Sequence, residues 1–222
     1  MEVSKGAYTA DRAAALSGVP KSTVHYWARQ EILVPSVSPE RVKLWSYPDL
    51  MALRIIYWLR QSKTSEAGAE VPASTMPQVR EALAQLDELN LDLWTEERGP
   101  AVSVDLAGTV IVDSDPTAEV AHRQRVMRDD ALDVLEPFVT TTARGPHLHK
   151  PASKLRIVPG KLGGSPHLVG TRLESQALGS LAFGGLDTPI IYQLYPDFDP
   201  EGIDEAISLE TQLEANLHPV AA

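Results

Sequence analysis

Tyr8-Thr9-Ala10-Asp11-Arg12-Ala13-Ala14-Ala15-Leu16-Ser17-Gly18-Val19-Pro20-Lys21-Ser22-Thr23-Val24-His25-Tyr26-Trp27 is the stretch on which the fold turns. Thr9 can cap a helix through its hydroxyl, and the alanine-rich run from Ala10 to Leu16 is strongly helix-forming. Ser17-Gly18-Val19-Pro20 interrupts it, with Gly18 free to take the positive φ of a tight turn. A second amphipathic helix follows from about Lys21 to Gln30, placing Val24 and Trp27 on one side and Ser22, His25, Tyr26 and Arg29 on the other. Ala14 must be small where the two helices cross, and Val24 and Trp27 supply the core between them. The reading is a helix-turn-helix.

Working outward, Ile32-Leu33-Val34-Pro35 is too short and too proline-bound for a helix, and Arg41-Val42-Lys43-Leu44-Trp45 alternates as a short strand does, so this part reads as a wing. Ser46 then caps a helix with proline in its first turn, running to about Arg60. The formal charge of the 222-residue chain is -10, but residues 1–62 carry 8 Lys and Arg against 5 Asp and Glu. A basic head on an acidic body implies that one part faces an anion and another does not. No cysteine is present, which excludes disulfides, thiolate metal sites and cysteine nucleophiles. No apolar run reaches the ~18 residues of a membrane span, and a soluble, cytoplasmic protein without membrane partners is the expectation.

The set Tyr8-Thr9, Ala13-Ala14, Leu16-Ser17-Gly18-Val19, Thr23-Val24-His25-Tyr26, Leu33, Leu44-Trp45-Ser46 and Asp49-Leu50 resembles the MerR-like winged helix-turn-helix proteins over about residues 7–60. The resemblance implies binding to double-stranded operator DNA. The chain departs from it in lacking cysteine for metal sensing and a long heptad helix after the head.

Residues 62–74 have linker composition, and Thr75 caps a helix with Pro77 early and Met76, Val79, Leu83 and Leu86 along one stripe. Three alternating segments, Leu91 to Trp94, Val102 to Asp105 and Thr109 to Val112, suggest a small antiparallel meander joined in part by an Asp105 to Gly108 turn. Thr117 to Leu135 reads as helix, with Arg123, Arg125 and Arg128 on a solvated face, and residues 140–153 read as a second linker. The last block places a Gly163-Gly164 turn between two extended segments, followed by helices at about Glu174 to Phe183, Pro189 to Tyr195 and Pro200 to Leu217. The fold class expected is mainly α with small β elements. Its parts are a winged head (1–62), a central helix and meander (63–150) and a small helical C-terminal domain (151–222).

The landmarks Pro159-Gly160-Lys161-Leu162-Gly163-Gly164, Gly170-Thr171-Arg172, Gly185-Leu186 and Tyr195-Pro196-Asp197 resemble the small helical antitoxin domain whose members include VapB-like proteins paired with PIN-like ribonuclease toxins. That resemblance implies protein binding and toxin neutralisation. Together the two imply a non-enzymatic antitoxin that represses its own operon and inhibits a PIN-like ribonuclease. The alternative is an effector-responsive regulator without a toxin, with an apolar pocket built in part by the meander.

Candidate DNA contacts are Ser22, Thr23, His25 and Tyr26 at the start of the second helix, Arg29 on a base edge or phosphate, and Arg41 and Lys43 on wing-side phosphates. Specific binding by so small a head favours a homodimer with two half-sites. In the last helix Glu201, Asp204 and Glu205 lie among carboxylates with no Lys or Arg, which repels phosphate and leaves a partner or dimerisation surface; Arg172 and Tyr195 join them. Gly163, Gly164 and Gly170 match no phosphate-loop pattern and read as turn residues. His147, His149 and His167 lack carboxylates or thiols at ligand spacing, so no metal or other cofactor is implied. No G-x-S-x-G or other nucleophile motif supports a hydrolase.

Overall fold

The alanine-rich run does fold as a helix, and its cap is the expected one: Thr9 accepts a hydrogen bond from the Arg12 amide, and Gly18 closes the end at φ 75°. The computed structural model describes residues 5–64, 70–88, 101–104, 110–113, 130–140 and 143–218. In chain order these form β1 (Tyr8–Thr9), α1 (Ala10–Ser17), α2 (Lys21–Arg29), β2 (Leu44–Trp45), α3 (Tyr47–Leu59), β3 (Lys63–Thr64), β4 (Glu70–Val71), α4 (Met76–Glu88), β5 (Ala101–Val104), β6 (Val110–Asp113), β7 (Asp130–Asp133), β8 (Phe138–Val139), β9 (Arg144–Gly145), β10 (Leu155–Arg156), β11 (His167–Leu168), α5 (Ser175–Phe183), α6 (Thr188–Leu194) and α7 (Pro200–Leu217). The described chain is mainly helical, with short antiparallel strand pairs.

Two compact units result, Met1–Leu50 with Glu136–Ala222, and Met51–Leu135. These units cross the expected boundaries at 62 and 150. In the first, the helix-turn-helix and the C-terminal helices share a single core. Ala13, Ala14, Ala15 and Leu16 are all buried on a helix of eight residues, which requires cover on more than one side. Helix α2 covers one side and α7 another. Helix α7 buries Ile203, Ala206, Glu210, Leu213 and Asn216 at helical spacing. Two members of that stripe are polar, and both reach the head. Glu210 accepts two hydrogen bonds from the Arg12 guanidinium at 2.6 and 2.7 Å, and Asn216 donates to the Ala15 carbonyl at 2.9 Å. Ser175, at the start of α5, donates a short hydrogen bond to the same Glu210 carboxylate. The backbone bond from the Ala7 amide to the Gly163 carbonyl, and the Tyr8 hydroxyl donating to the Gly164 carbonyl, extend the contact. Burial holds the Tyr8 phenol far above its ordinary range, so it remains a donor.

The segment expected as a linker at 140–153 is built in, a correction to the composition-based reading. Strands β8 and β9 pair at its start, Leu148 is fully buried, and Arg144 is tied to α7 through both of its backbone groups. The Gly18 turn packs directly on this hairpin: a side chain there would sit 2.6 Å from the Gly145 nitrogen and 2.9 Å from the Phe138 carbonyl.

In the second unit, α4 carries the expected Thr75 start, with the Gln78 side chain reaching back to the Thr75 amide at 2.7 Å. Residues 62–74, expected as linker, include the β3–β4 pair. Strands β5 and β6 pair antiparallel as anticipated, whereas Leu91 to Trp94 and the Asp105 to Gly108 turn lie outside the described residues. The expected helix at Thr117 to Leu135 is corrected at its end: Asp130–Asp133 is strand β7, paired on the other edge of β5. The rest of that segment, with Arg123, Arg125 and Arg128, lies outside the described residues. Arg54 of α3, fully buried, donates to the Val134 carbonyl at 3.0 Å and so anchors the chain leaving β7.

His167 is buried, its Nδ1 3.0 Å from the Ser165 carbonyl, and desolvation lowers its pKa below the ordinary 6.5. Above that value the ring is neutral folded or unfolded and contributes no pH dependence. Below it the unfolded chain takes up the proton first, so stability is lost as pH falls from 6.5 through the folded-state pKa. Urea melts between pH 8 and 5 should show this acid-side loss, and His167→Gln should flatten it.

Candidate nucleic-acid interface

Helix α2 is positioned by what it buries. Val24, Trp27 and Ala28 turn inward, and the Pro20 carbonyl receives the Thr23 and Val24 amides to start the helix. At its far end Glu31 takes the left-handed conformation (φ 52°), a role glycine usually fills, and the Ile32 amide bonds back to the Trp27 carbonyl. With nine residues the helix is about 13 Å long, and its diameter of ~10–12 Å with side chains fits a major groove ~12 Å wide.

The outward stripe follows by subtraction. Ser22, Tyr26 and Arg29 stand at i, i+4 and i+7, all exposed, with Tyr26 showing 50% of its surface. Thr23 and His25 are half-buried beside them. Lys21 also is exposed, but it is paired with Asp11 of α1 at 2.9 Å, which pins the two helix starts together. The stripe therefore offers hydroxyls, an imidazole, a phenol and a guanidinium, groups able to read base edges and hold phosphates.

The wing is smaller than its sequence suggests. The expected strand at Arg41 to Trp45 is shortened to Leu44–Trp45, and it pairs with β1. The loop itself closes through reciprocal backbone bonds between Ser38 and Leu44. Arg41 is exposed near its tip, next to Val42 at 65% exposure. Lys43 is half-buried and donates to the Pro39 carbonyl at 2.9 Å, so it would have to exchange that bond for a phosphate. Beneath the wing lies a residue the sequence reading treated only as a family landmark. Asp49, 6% exposed, accepts from the Ser36 and Ser46 amides and the Ser36 hydroxyl at 2.7 to 2.9 Å. The Ser46 hydroxyl caps the Asp49 amide in return, a capping box that also sets the wing's angle. The spacing Ser46-x-x-Asp49 carries this signal.

The C-terminal candidates do not form one cluster. Glu205 accepts from the Ser153 hydroxyl and the Lys154 amide, Glu201 pairs with Lys154 at 3.3 Å, and Asp204 accepts from the Tyr192 hydroxyl at 2.6 Å. Tyr195 stacks edge-on against Phe198, and Arg172 is exposed in the turn after β11. These three carboxylates thus already fasten α7 to its neighbours. The carboxylate missed as a structural element is Glu210, and its place on the apolar stripe of α7 was the available clue.

A cavity of about 450 Å³ opens where β1 and α1 meet residues 162–165, α5 and α7, with Arg12, Glu174, Glu210, Phe183 and Leu213 among its walls. The His147 Nδ1 accepts the His149 and Lys150 amides, a turn-holding role. Among the described residues no group of three His, Asp or Glu is arranged to hold a metal ion, and no helix is long and apolar enough to cross a membrane.

No curated protein and no solved structure matches the chain. Residues 8–70, which hold both helices, the wing and α3, match the family model described as MerR HTH family regulatory protein, and the match supports a MerR-like DNA-binding head in this part of the chain.

Proposed function

We propose that the chain is the antitoxin of a toxin–antitoxin pair, acting in the cytoplasm as a homodimer and without catalysis. It binds operator DNA through α2 and the wing, represses its own operon, and neutralises a PIN-like ribonuclease through its C-terminal helices. The observation that carries the reading is polarity within one folded unit: a stripe of Ser22, Tyr26 and Arg29 at one element, and an α5–α7 segment of opposite character at another. Residues 173–222 hold nine Asp and Glu and no Lys or Arg. Such a segment is repelled by phosphate and attracted to an enzyme that must present cations to RNA. Electrostatics of this kind support a partner-facing role, and the resemblance of this block to VapB-like antitoxins supplies the partner's class.

At the head, Ser22, Thr23, His25, Tyr26 and Arg29 are assigned to the major groove, and Arg41 and Lys43 to phosphates. Arg29→Ala should weaken operator binding by roughly 1–3 kcal/mol with relaxed sequence preference. Lys43→Ala should weaken every sequence alike and reduce the salt slope by about 1. Fluorescence anisotropy at several salt concentrations separates the two outcomes.

For the C-terminal role, deletion of residues 155–222 would remove the cover of α1 and unfold the head, so the test uses the full chain. Full-length protein mixed with the purified nuclease encoded beside its gene should suppress RNA cleavage at about equimolar ratio; unimpeded cleavage would sink the antitoxin reading.

One observation favours the second reading, an effector-responsive regulator. The cavity between α1 and α5–α7 is large enough for a small molecule, and an occupant there would touch the helix that supports α2. A ligand-dependent operator affinity in the absence of any nuclease would point that way.

A further inference from the structure

Helix α6 is bounded by short turns and buries Ile191 completely, yet it leaves Ile190 and Leu194, one turn apart on the same face, 47% and 56% exposed. Single exposed aliphatics need no explanation, but two aligned on a seven-residue helix make a patch. Exposed carboxylates sit at both of its ends, Asp187 before the helix and Asp197 just after it. Lys154 is held between Asp199 at 2.9 Å and Glu201 at 3.3 Å, which draws the Asp199 carboxyl below its ordinary range.

We propose that this α6 face, Ile190 and Leu194 rimmed by Asp187 and Asp197, is the docking surface for a cationic, apolar-centred patch on the ribonuclease. The inference rests on the antitoxin reading above and adds the place of contact. Charge selects the occupant. A second copy of the face would set like carboxylates against each other, and a duplex would bring phosphates to the same carboxylates; both are repulsive. A nuclease surface built to attract RNA carries Lys and Arg, which complement the rim, while an apolar centre accepts the two side chains. The arrangement matches the general anatomy of interfaces, an apolar core inside a polar rim.

The test uses full-length protein and the purified nuclease encoded by the adjacent reading frame, with its catalytic carboxylates replaced so that RNA is spared. Ile190→Ser/Leu194→Ser should weaken nuclease binding by roughly 30-fold or more, the loss expected of an interface hot spot, with operator affinity unchanged. Asp197→Lys should slow association and weaken its salt dependence. Circular dichroism and operator binding show that the variants are folded. Wild-type affinity in both variants would overturn the proposal while leaving the antitoxin reading intact. Absence of nuclease binding by the unmodified chain would overturn both. A Ser/Ser variant that keeps the nuclease but loses self-association in sedimentation would assign the face to a second copy and overturn the proposal.

Discussion

Glu210→Ala should destabilise the unit that contains the DNA-binding head by about 3–5 kcal/mol, the range for breaking a buried ion pair from one side. The reason is geometric. The Glu210 side chain is 6% exposed and the Arg12 side chain 16%, and the two meet in a bidentate pair, with Ser175 donating to the same carboxylate. Removing Glu210 leaves a guanidinium largely out of water with no carboxylate, and a hydroxyl without its acceptor. Gly179 makes the arrangement possible, because a side chain there would stand 2.5 Å from the Glu210 Cβ. A combined Arg12→Met/Glu210→Leu change should recover most of the loss, since apolar replacement of both partners removes the buried charges altogether. Urea denaturation of the three proteins decides this. A wild-type midpoint for Glu210→Ala would mean that α7 does not bear on α1.

Gly18→Val should be nearly as damaging, roughly 3–5 kcal/mol, from two sources. The left-handed φ of 75° costs about 1–2 kcal/mol for an L-residue, and more for a β-branched one. The added side chain must also displace backbone atoms of Phe138 and Gly145, an overpacking term of typically 1–3 kcal/mol. The turn between the DNA-binding helices is thus constrained by a hairpin more than a hundred residues away in sequence. Thermal melts should show Gly18→Ala destabilised as well, though less than the valine variant. Equal stability of Gly18→Ala and wild type would contradict the close approach.

The elements with local signals were legible in the sequence, and the contacts between distant ones were not. Thr9, Gly18, Ser46, Thr75 and Asp199-Pro200 each mark a helix end through a bond or a dihedral fixed within a few residues, and the four helices they delimit are present. Asp130 to Asp133 falls at the end of the segment Thr117 to Leu135, whose pattern reads as helix, but pairing with β5 decides its conformation, and that partner is distant in sequence. The segment 140–153 has the composition of a linker, yet Thr140 and Arg144 are tied to Gly18 and Asn216, contacts invisible to composition. The union of the head with the C-terminal helices was visible in retrospect. Five consecutive buried residues in α1, Ala13 to Ser17, need cover from more than one helix, and Glu210 and Asn216 interrupt an otherwise apolar stripe. At the interface itself, the split of α2 into buried and exposed faces followed from periodicity, while the Asp49 tie to Ser36 depended on the path of a short irregular loop.

The most direct test of the account is an anisotropy titration of the full-length protein against the duplex upstream of its own gene, run beside a scrambled duplex and beside the Tyr26→Ala/Arg29→Ala variant. The account predicts saturable, salt-sensitive binding that prefers the upstream duplex and is lost in the folded variant. Equal binding of both duplexes, or binding that survives loss of Tyr26 and Arg29, would contradict a head that reads DNA through the exposed face of α2.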